Sequence, residues 1–336
     1  MQPISEIFAQ LASPQKNIVI TMHQKPDADA MGSALGLCHF LRQLGHTVQI
    51  ISPTNWARWL NWMEGVDEVL DFEMQKAKAE EKLDSAEWLF CLDFNHFDRT
   101  KSLAPKLASL TCTKILIDHH REPDLAAFDY GLSDSLKSST CEMVYDFIVA
   151  SGNGDKINKF VGECLYAGVV ADTGSFRFSS TGASVHHMVA ALKEQGLEHV
   201  KVHEALYDNN MENRLRFLGH VLSNRMEVFY ELNTALISIP KSDLLRYGIK
   251  TGDTEGLVNY PLSIQGIKLA GFVIDRDEER KWSFRSKGSF DCNTFARQYF
   301  NGGGHFNASG GRDMALLQET VRRFKQVINE NRSLLQ

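Results

Sequence analysis

Four apolar runs in the first half of the chain end in acidic or imidazole side chains, and this restricts the fold more than any other feature. The runs are NIVITMHQKPDAD, WLFCLDFN, KILIDHH and YAGVVADTG, which carry His23, Asp27, Asp29, Asp93, Asp118, His119, His120 and Asp172. A charge that ends an apolar strand must be solvated, paired or coordinated. One such event is usually a cap or an ion pair, but four at related positions point to a shared site. Carboxylates and neutral imidazoles are the ligand set of manganese-like divalent cations, whereas a softer site would recruit cysteine. The pattern predicts a binuclear metal centre of hydrolytic type.

The fold expectation follows from the same runs. Strands over Asn17–Met22, Thr47–Ser52, Trp88–Phe94 and Lys114–Asp118 alternate with helical patterns, the first near Ala30–Leu44 and stopped by Gly45,. This is the signature of an α/β domain with a mainly parallel sheet flanked by helices, whose ligands gather at the carboxyl ends of the strands. Ser139 and Glu142 are spaced as a capping box, and a further helix near Lys159–Val170 leads to Asp172,. The polar, helical stretch 186–222 reads as a linker. Beyond it MEVFYEL and TALISIP flank Asn233 as a hairpin, and IKLAGFVID and KWSFRS flank the turn RDEER, so antiparallel strands are expected,. The domain reading is 1–185, a helical linker at 186–222, and a second, smaller α+β domain at 223–336.

With 336 residues and a formal charge of −6, the chain is not one that coats long nucleic acid through a broad basic face,. A small phosphate ester is compatible with that balance, because bound divalent cations reverse the local sign. No stretch approaches the roughly 18 apolar residues of a membrane span, and the six cysteines form no C-x-x-C pair,. Reduced thiols and a cytoplasmic location are expected. Trp56, Trp59 and Trp62 recur at helical spacing and read as packing rather than a base-stacking stripe. His186 and His187 are adjacent, point apart on a helix and read as surface residues.

His23, Asp27 and Asp29 share a loop that ends a strand and opens a helix, with Asp29 suited to the N-cap. Gly32 and Ser33 on the first turn leave room for a close approach or an anion. Arg99 lies just past Asp93, within reach of a phosphate or of a salt bridge with Asp98,. Near the other end of the chain Gly302, Gly303 and Gly304 expose amides that can cradle an anion, and His305 and Arg285 would add charge-assisted contacts to a phosphate.

Taken in order, H-x-x-P-D-x-D-x-x-G-S (His23 to Ser33), Asp93, D-H-H (Asp118 to His120) and A-D-T-G (Ala171 to Gly174) resemble the four motifs of the DHH phosphoesterases. G-G-G-H at Gly302 to His305, followed by Ala308 and Gly310-Gly311, is similar to the signature of that superfamily's associated C-terminal domain. The markers span nearly the whole chain. Its length and the G-G-G-H motif resemble the nanoRNase and pAp phosphatase branch rather than RecJ-type exonucleases or type II pyrophosphatases. The resemblance implies two divalent metal ions, manganese by expectation. His23 and Asp27 would hold one, Asp29, His119 and Asp172 the other, and Asp93 would bridge them. Asp118 would fix an imidazole tautomer and His120 would face the substrate, with Asp93, Asp118 and His120 as the catalytic group and Arg285, Gly303, Gly304 and His305 as substrate contacts.

The implied activity is hydrolysis of short RNA oligonucleotides to 5′-mononucleotides and of adenosine 3′,5′-bisphosphate to AMP, by two-metal activation of a bridging water. Hydrolysis of linear dinucleotides such as pApA, or of polyphosphate, is the alternative activity. A nucleotide-binding regulator without turnover is the reading from another class, disfavoured by intact ligands. Whether the chain acts alone or as a homodimer is left open.

Overall fold

Runs of β-branched and aromatic residues build a sheet that is apolar on both faces, as parallel strands require. The computed structural model describes residues 1–12, 14–250, 252–276 and 278–336, and it divides into two units, Met1–Asn209 and Asn210–Gln336. Among the described residues of the first unit the strands are β1 (Gln2–Pro3), β2 (Asn17–Thr21), β3 (Thr47–Ser52), β4 (Leu70–Asp71), β5 (Trp88–Leu92), β6 (Thr113–Asp118) and β7 (Tyr130–Ser133). They pair wholly in parallel in the order β1-β7-β6-β5-β2-β3-β4. Strands β6, β5 and β2 are neighbours, so the runs that end near Asp118, Asp93 and His23 finish side by side.

Helices cover both faces. On one side pack α1 (Ala28–Gln43), α4 (Thr140–Ala150), α5 (Lys159–Asp172), α6 (Ala183–Glu194) and α7 (His199–Tyr207); on the other lie α2 (Lys76–Asp84) and α3 (Ala104–Ser109). The α1–α5 contact is backbone-close. A Cβ on Gly32 would stand 2.4 Å from the Cys164 carbonyl oxygen, so Gly32 serves helix approach rather than an anion,. Helix α1 begins two residues before the expected start, because Asp27 rather than Asp29 is the N-cap. Its carboxylate accepts from the amides of Asp29 and Ala30, which leaves the Asp29 side chain free of capping,.

In the second unit β8 (Met226–Phe229), β9 (Thr234–Ile239), β10 (Leu269–Asp275), β11 (Arg280–Ser286), β12 (Gly303–His305) and β13 (Ala308–Asp313) form a mixed sheet in the order β12-β13-β11-β10-β9-β8. The β8/β9 hairpin turns at Asn233, which is left-handed (φ 46°). Strands β10 and β11 pair antiparallel; Asp277, in the turn between them, lies outside the described residues. Contrary to the all-antiparallel expectation, β9 and β10 run parallel, because α9 (Lys241–Arg246) and a turn at Leu257–Ser263 carry the chain back before β10 starts,. Helices α8 (Glu212–Asn224) and α9 cover one face, and α10 (Cys292–Tyr299), α11 (Leu317–Glu330) and the short α12 (Arg332–Leu335) cover the other. Trp282, buried against Phe284, Phe300 and Phe324, donates its indole N–H to Thr320 Oγ1 at 3.0 Å.

The stretch 186–222, expected as a linker, divides between the units. Met188, Leu192, Leu197 and Val202 are buried in the first core, Phe217 and Val221 in the second, so its apolar spacing builds core rather than connector. Trp56, Trp59 and Trp62 pack partly buried against the first core, and His186 and His187 are exposed. All six cysteines are free and five are buried. No helix among the described residues is long and apolar enough to cross a membrane.

Candidate metal centre

Three adjacent strand ends and two helix ends deliver the acidic cluster. The chain leaves β2 into His23, β5 into Asp93, and β6 into Asp118, His119 and His120, while the first turn of α1 carries Asp29 and the last residue of α5 is Asp172. Asp172 is thus a helix end, as the helix expected near Lys159–Val170 implies. A carboxylate at a helix C-terminus opposes the helix dipole and calls for a cation beside it. Asp93 sits in the left-handed region at φ 62°, a conformation that aspartate tolerates better than most residues and that turns its side chain into the cluster,.

The distances sort the residues into two groups that share Asp93. On one side His23 Nε2 lies 3.3 Å from Asp93 Oδ2 and 3.7 Å from Asp27 Oδ2. On the other His119 Nε2 lies 3.4 Å from Asp93 Oδ1, 3.5 Å from Asp172 Oδ2 and 3.8 Å from Asp29 Oδ2. Each carboxylate oxygen of Asp93 therefore faces a different group, the arrangement of a bridging ligand. His23 Nδ1 is 2.8 Å from the Gln24 carbonyl, so it donates there and Nε2 is the nitrogen turned to the acids,. His120 Nδ1 likewise donates to Asp118 Oδ1 at 2.7 Å, while Asp118 Oδ2 is buried without a hydrogen-bond partner.

The electrostatics test whether cations fit. Burial, then the charge of Asp93, pushes the Asp29 carboxyl up to about 7, and burial with the charges of Asp29 and Asp27 raises Asp172 well above the carboxylate range. Burial alone would pull His23 down, but hydrogen bonds and charge from Asp27 and Asp93 outweigh it and push the imidazole up to about 10. His119 is raised the same way, burial being outweighed by Asp93, Asp172 and Asp29. Asp93 is lowered, since the imidazoles of His119 and His23 more than offset its burial. Without cations the cluster borrows protons to balance Asp27, Asp29, Asp93 and Asp172. Two divalent cations would balance those carboxylates, and every donor is oxygen or imidazole nitrogen, so the residues fit such ions.

Several contributors were not legible in the sequence. Helix α4 points its first amides at Asp29: Thr140 N–H reaches Oδ2 at 2.7 Å and Cys141 N–H reaches Oδ1 at 2.8 Å. Ser139 caps α4 by accepting from Glu142 N–H, but the Glu142 carboxylate turns to the amide and hydroxyl of Ser138, not to Ser139 as a full capping box would have it,. Arg99, which the sequence left between a phosphate contact and a salt bridge with Asp98, lies beside the site. Its carbonyl accepts from Gln24 N–H at 2.9 Å, and its charge pushes down both His23 and His120. Its position six residues past Asp93 was the only available signal.

Gly168 shows how tightly the helices are drawn together. A Cβ there would lie 2.3 Å from Cys141 Sγ and 2.8 Å from Asp29 Oδ1. Gly168→Ala is therefore expected to cost about 1–3 kcal/mol of stability and to weaken divalent-cation binding at the same time. Thermal melts and manganese titrations of the variant check both; unchanged cation affinity would contradict it.

In the second unit the candidate phosphate contacts form a row. Ala308 of β13 pairs with Arg285 of β11 on one side and with His305 of β12 on the other, so the three side chains share one sheet face,. The glycines do not form an open loop. Gly304 N–H donates to Asn293 Oδ1 at 2.9 Å, and a Cβ on Gly302 would collide with the Gly310 carbonyl at 1.9 Å. Gly302 thus permits strand approach, and the Gly304 amide expected to cradle an anion is already engaged, leaving Arg285 and His305 as the charged candidates.

Fold and site together define a two-domain α/β protein with an acidic, imidazole-lined centre at the carboxyl edge of a parallel sheet. The DHH family N-terminal domain matches residues 17–169, and the DHHA1 domain matches residues 235–331. A crystal structure of an exopolyphosphatase-related protein from Bacteroides fragilis is 36% identical, with a TM-score of 0.93, over 98% of this chain and 97% of that one. The bifunctional oligoribonuclease and PAP phosphatase NrnA of Bacillus subtilis is 29% identical over 87% of this chain and 88% of its own. Its namesake from Thermus thermophilus is 26% identical over 98% and 94%. The chain belongs to the DHH family, in its NrnA-like branch with a C-terminal DHHA1 domain.

Proposed function

We propose that this chain is a divalent-metal-dependent phosphoesterase that degrades short oligoribonucleotides to 5′-mononucleotides and converts adenosine 3′,5′-bisphosphate to AMP. The observation that carries the reading is Asp93, whose two oxygens face two separate ligand groups, in a chain that aligns nearly end to end with relatives named for those two activities. His23 and Asp27 would hold one cation, Asp29, His119 and Asp172 the other, and Asp93 both. Manganese is the proposed metal. Bound there, the cations supply Lewis acidity to an attacking water and to the phosphoryl oxygens.

The chain's own groups do the rest. Burial lowers the His120 pKa, so before substrate arrives the ring is neutral, with Nδ1 donating to Asp118 and reactivity resting with Nε2. An approaching phosphate raises that pKa by its charge, which lets Nε2 donate to a phosphoryl or leaving-group oxygen. Arg99 places a cation beside His23 and His120 where phosphate charge would arrive,. Arg285 and His305 are the proposed contacts to a further substrate phosphate, with Gly303 and Gly304 shaping the strand that carries His305.

One observation favours a second reading: the 36%-identical solved structure is described as exopolyphosphatase-related. A time course separates the two. Purified protein with manganese receives an equimolar mixture of pAp, a 5′-phosphorylated RNA dinucleotide, inorganic pyrophosphate and short polyphosphate. Conversion of both nucleotides to mononucleotides is expected. Loss of polyphosphate or pyrophosphate with the nucleotides untouched would overturn the substrate assignment and leave the two-metal chemistry standing.

A further inference from the structure

The geometry points to Thr140 as a positioning residue that holds Asp29 and Asp93 in the register needed for cations on both sides of Asp93; this rests on the metal-centre reading above. Thr140 is fully buried at the first position of α4. Its hydroxyl donates to Asp93 Oδ1 at 2.9 Å, and its amide donates to Asp29 Oδ2 at 2.7 Å. One residue thus binds two carboxylates that come from strand ends and helices more than forty residues away in sequence.

Those carboxylates repel, since the charge of Asp93 is one cause of the raised Asp29 pKa. Donors set between them offset the repulsion and fix the direction of each oxygen. At Asp93 the hydroxyl occupies one lone pair of Oδ1, the oxygen that faces His119, and leaves the other for a ligand,. At Asp29 the two amides are donors that a helix start leaves unsatisfied in any case, so the carboxylate completes α4 as it is being oriented,. The amides survive any substitution at 140 except proline, so the hydroxyl is the separable part.

The segment is itself anchored. Glu142, 2% exposed, accepts from Ser138, from Lys137 Nζ at 3.1 Å and from Ser184 Oγ at 2.7 Å, which ties the start of α4 to the preceding loop and to α6. A hydroxyl held on so fixed a backbone can select one carboxylate rotamer. Groups that orient metal ligands in this way typically change metal affinity about 10- to 100-fold when removed.

The test compares full-length wild type with T140S, T140V and T140A by calorimetric manganese titration and by thermal melts in chelator. T140V and T140A are expected to raise the manganese dissociation constant about 10- to 100-fold, and T140S, which keeps the hydroxyl, to restore it to within about threefold. A T140V or T140A protein that melts lower yet binds manganese as wild type does would show that Thr140 only packs, and would overturn the proposal. If T140V does not fold, T140A, which adds no bulk, decides on the same terms. Wild type that binds no manganese would instead defeat the metal-centre reading, a result that can be told apart from either.

Discussion

Asp93→Asn is expected to lower metal-dependent kcat/KM at least about a thousandfold, equivalent to about 4 kcal/mol of transition-state stabilisation, while leaving the fold intact. The size follows from position. Asp93 faces both imidazoles that lead the two ligand groups, at 3.3 and 3.4 Å, so its charge serves both groups together. Asparagine is the sharper probe than alanine because it tolerates the left-handed backbone at φ 62° and keeps an oxygen for the Thr140 hydroxyl,. Circular dichroism should match wild type and manganese affinity should fall. Retention of more than about a tenth of wild-type turnover would remove Asp93 from the centre of the mechanism.

Manganese binding is expected to release protons near neutral pH and to tighten as pH rises. His23 is raised from its ordinary 6.5 to about 10 and Asp29 from 3.8 to about 7, so at neutrality His23 holds a proton and Asp29 holds one about half the time, and a cation must displace both,. Each displaced proton contributes about tenfold in affinity per pH unit below its pKa. The sign for the cation-free chain follows separately. The stabilisation that His23 gains from Asp27 and Asp93 is fully present below 6.5 and lost as pH rises through about 10,. The cost of ionising buried Asp29 is absent below 3.8 and complete above about 7,. In chelator the chain should therefore melt lower at pH 8 than at pH 6, and saturating manganese should raise the melting temperature more at pH 8. Calorimetry in buffers of different ionisation enthalpy counts the protons. Affinity that is flat from pH 6 to 8 would contradict the assignment of these groups as ligands.

Residues that announce themselves by local pattern were readable before the structure. The parallel sheet was legible because β2, β5 and β6 are buried on both faces, which leaves continuous apolar runs that only a charged residue can end,. The resemblance named the candidate ligands because each motif is short and local. Asp172 shows where the pattern is weakest: its apolar run looks like those of the strands, and only the helical spacing of Lys159–Val170 marks it as a helix end,. The assignment of 186–222 as a linker failed for a related reason, since amphipathic helices with polar outer faces read as connectors until the cores they complete are known. The mixed pairing of β9 with β10 depends on a crossover whose path is not coded in either strand.

By itself the sequence determined the alternating α/β order, the helix start at Ser139, and the residue types of an oxygen- and nitrogen-donor centre, because these are properties of neighbouring residues. Tertiary structure alone decided the distances at which Asp93 faces its two groups, that Gly32 and Gly168 let α1 and α5 meet at backbone distance, and that the start of α4 grips Asp29. These contacts join residues up to 139 positions apart, as Asp29 and Gly168 are, and their strength comes from burial and charge that exist only once the helices have closed on the sheet.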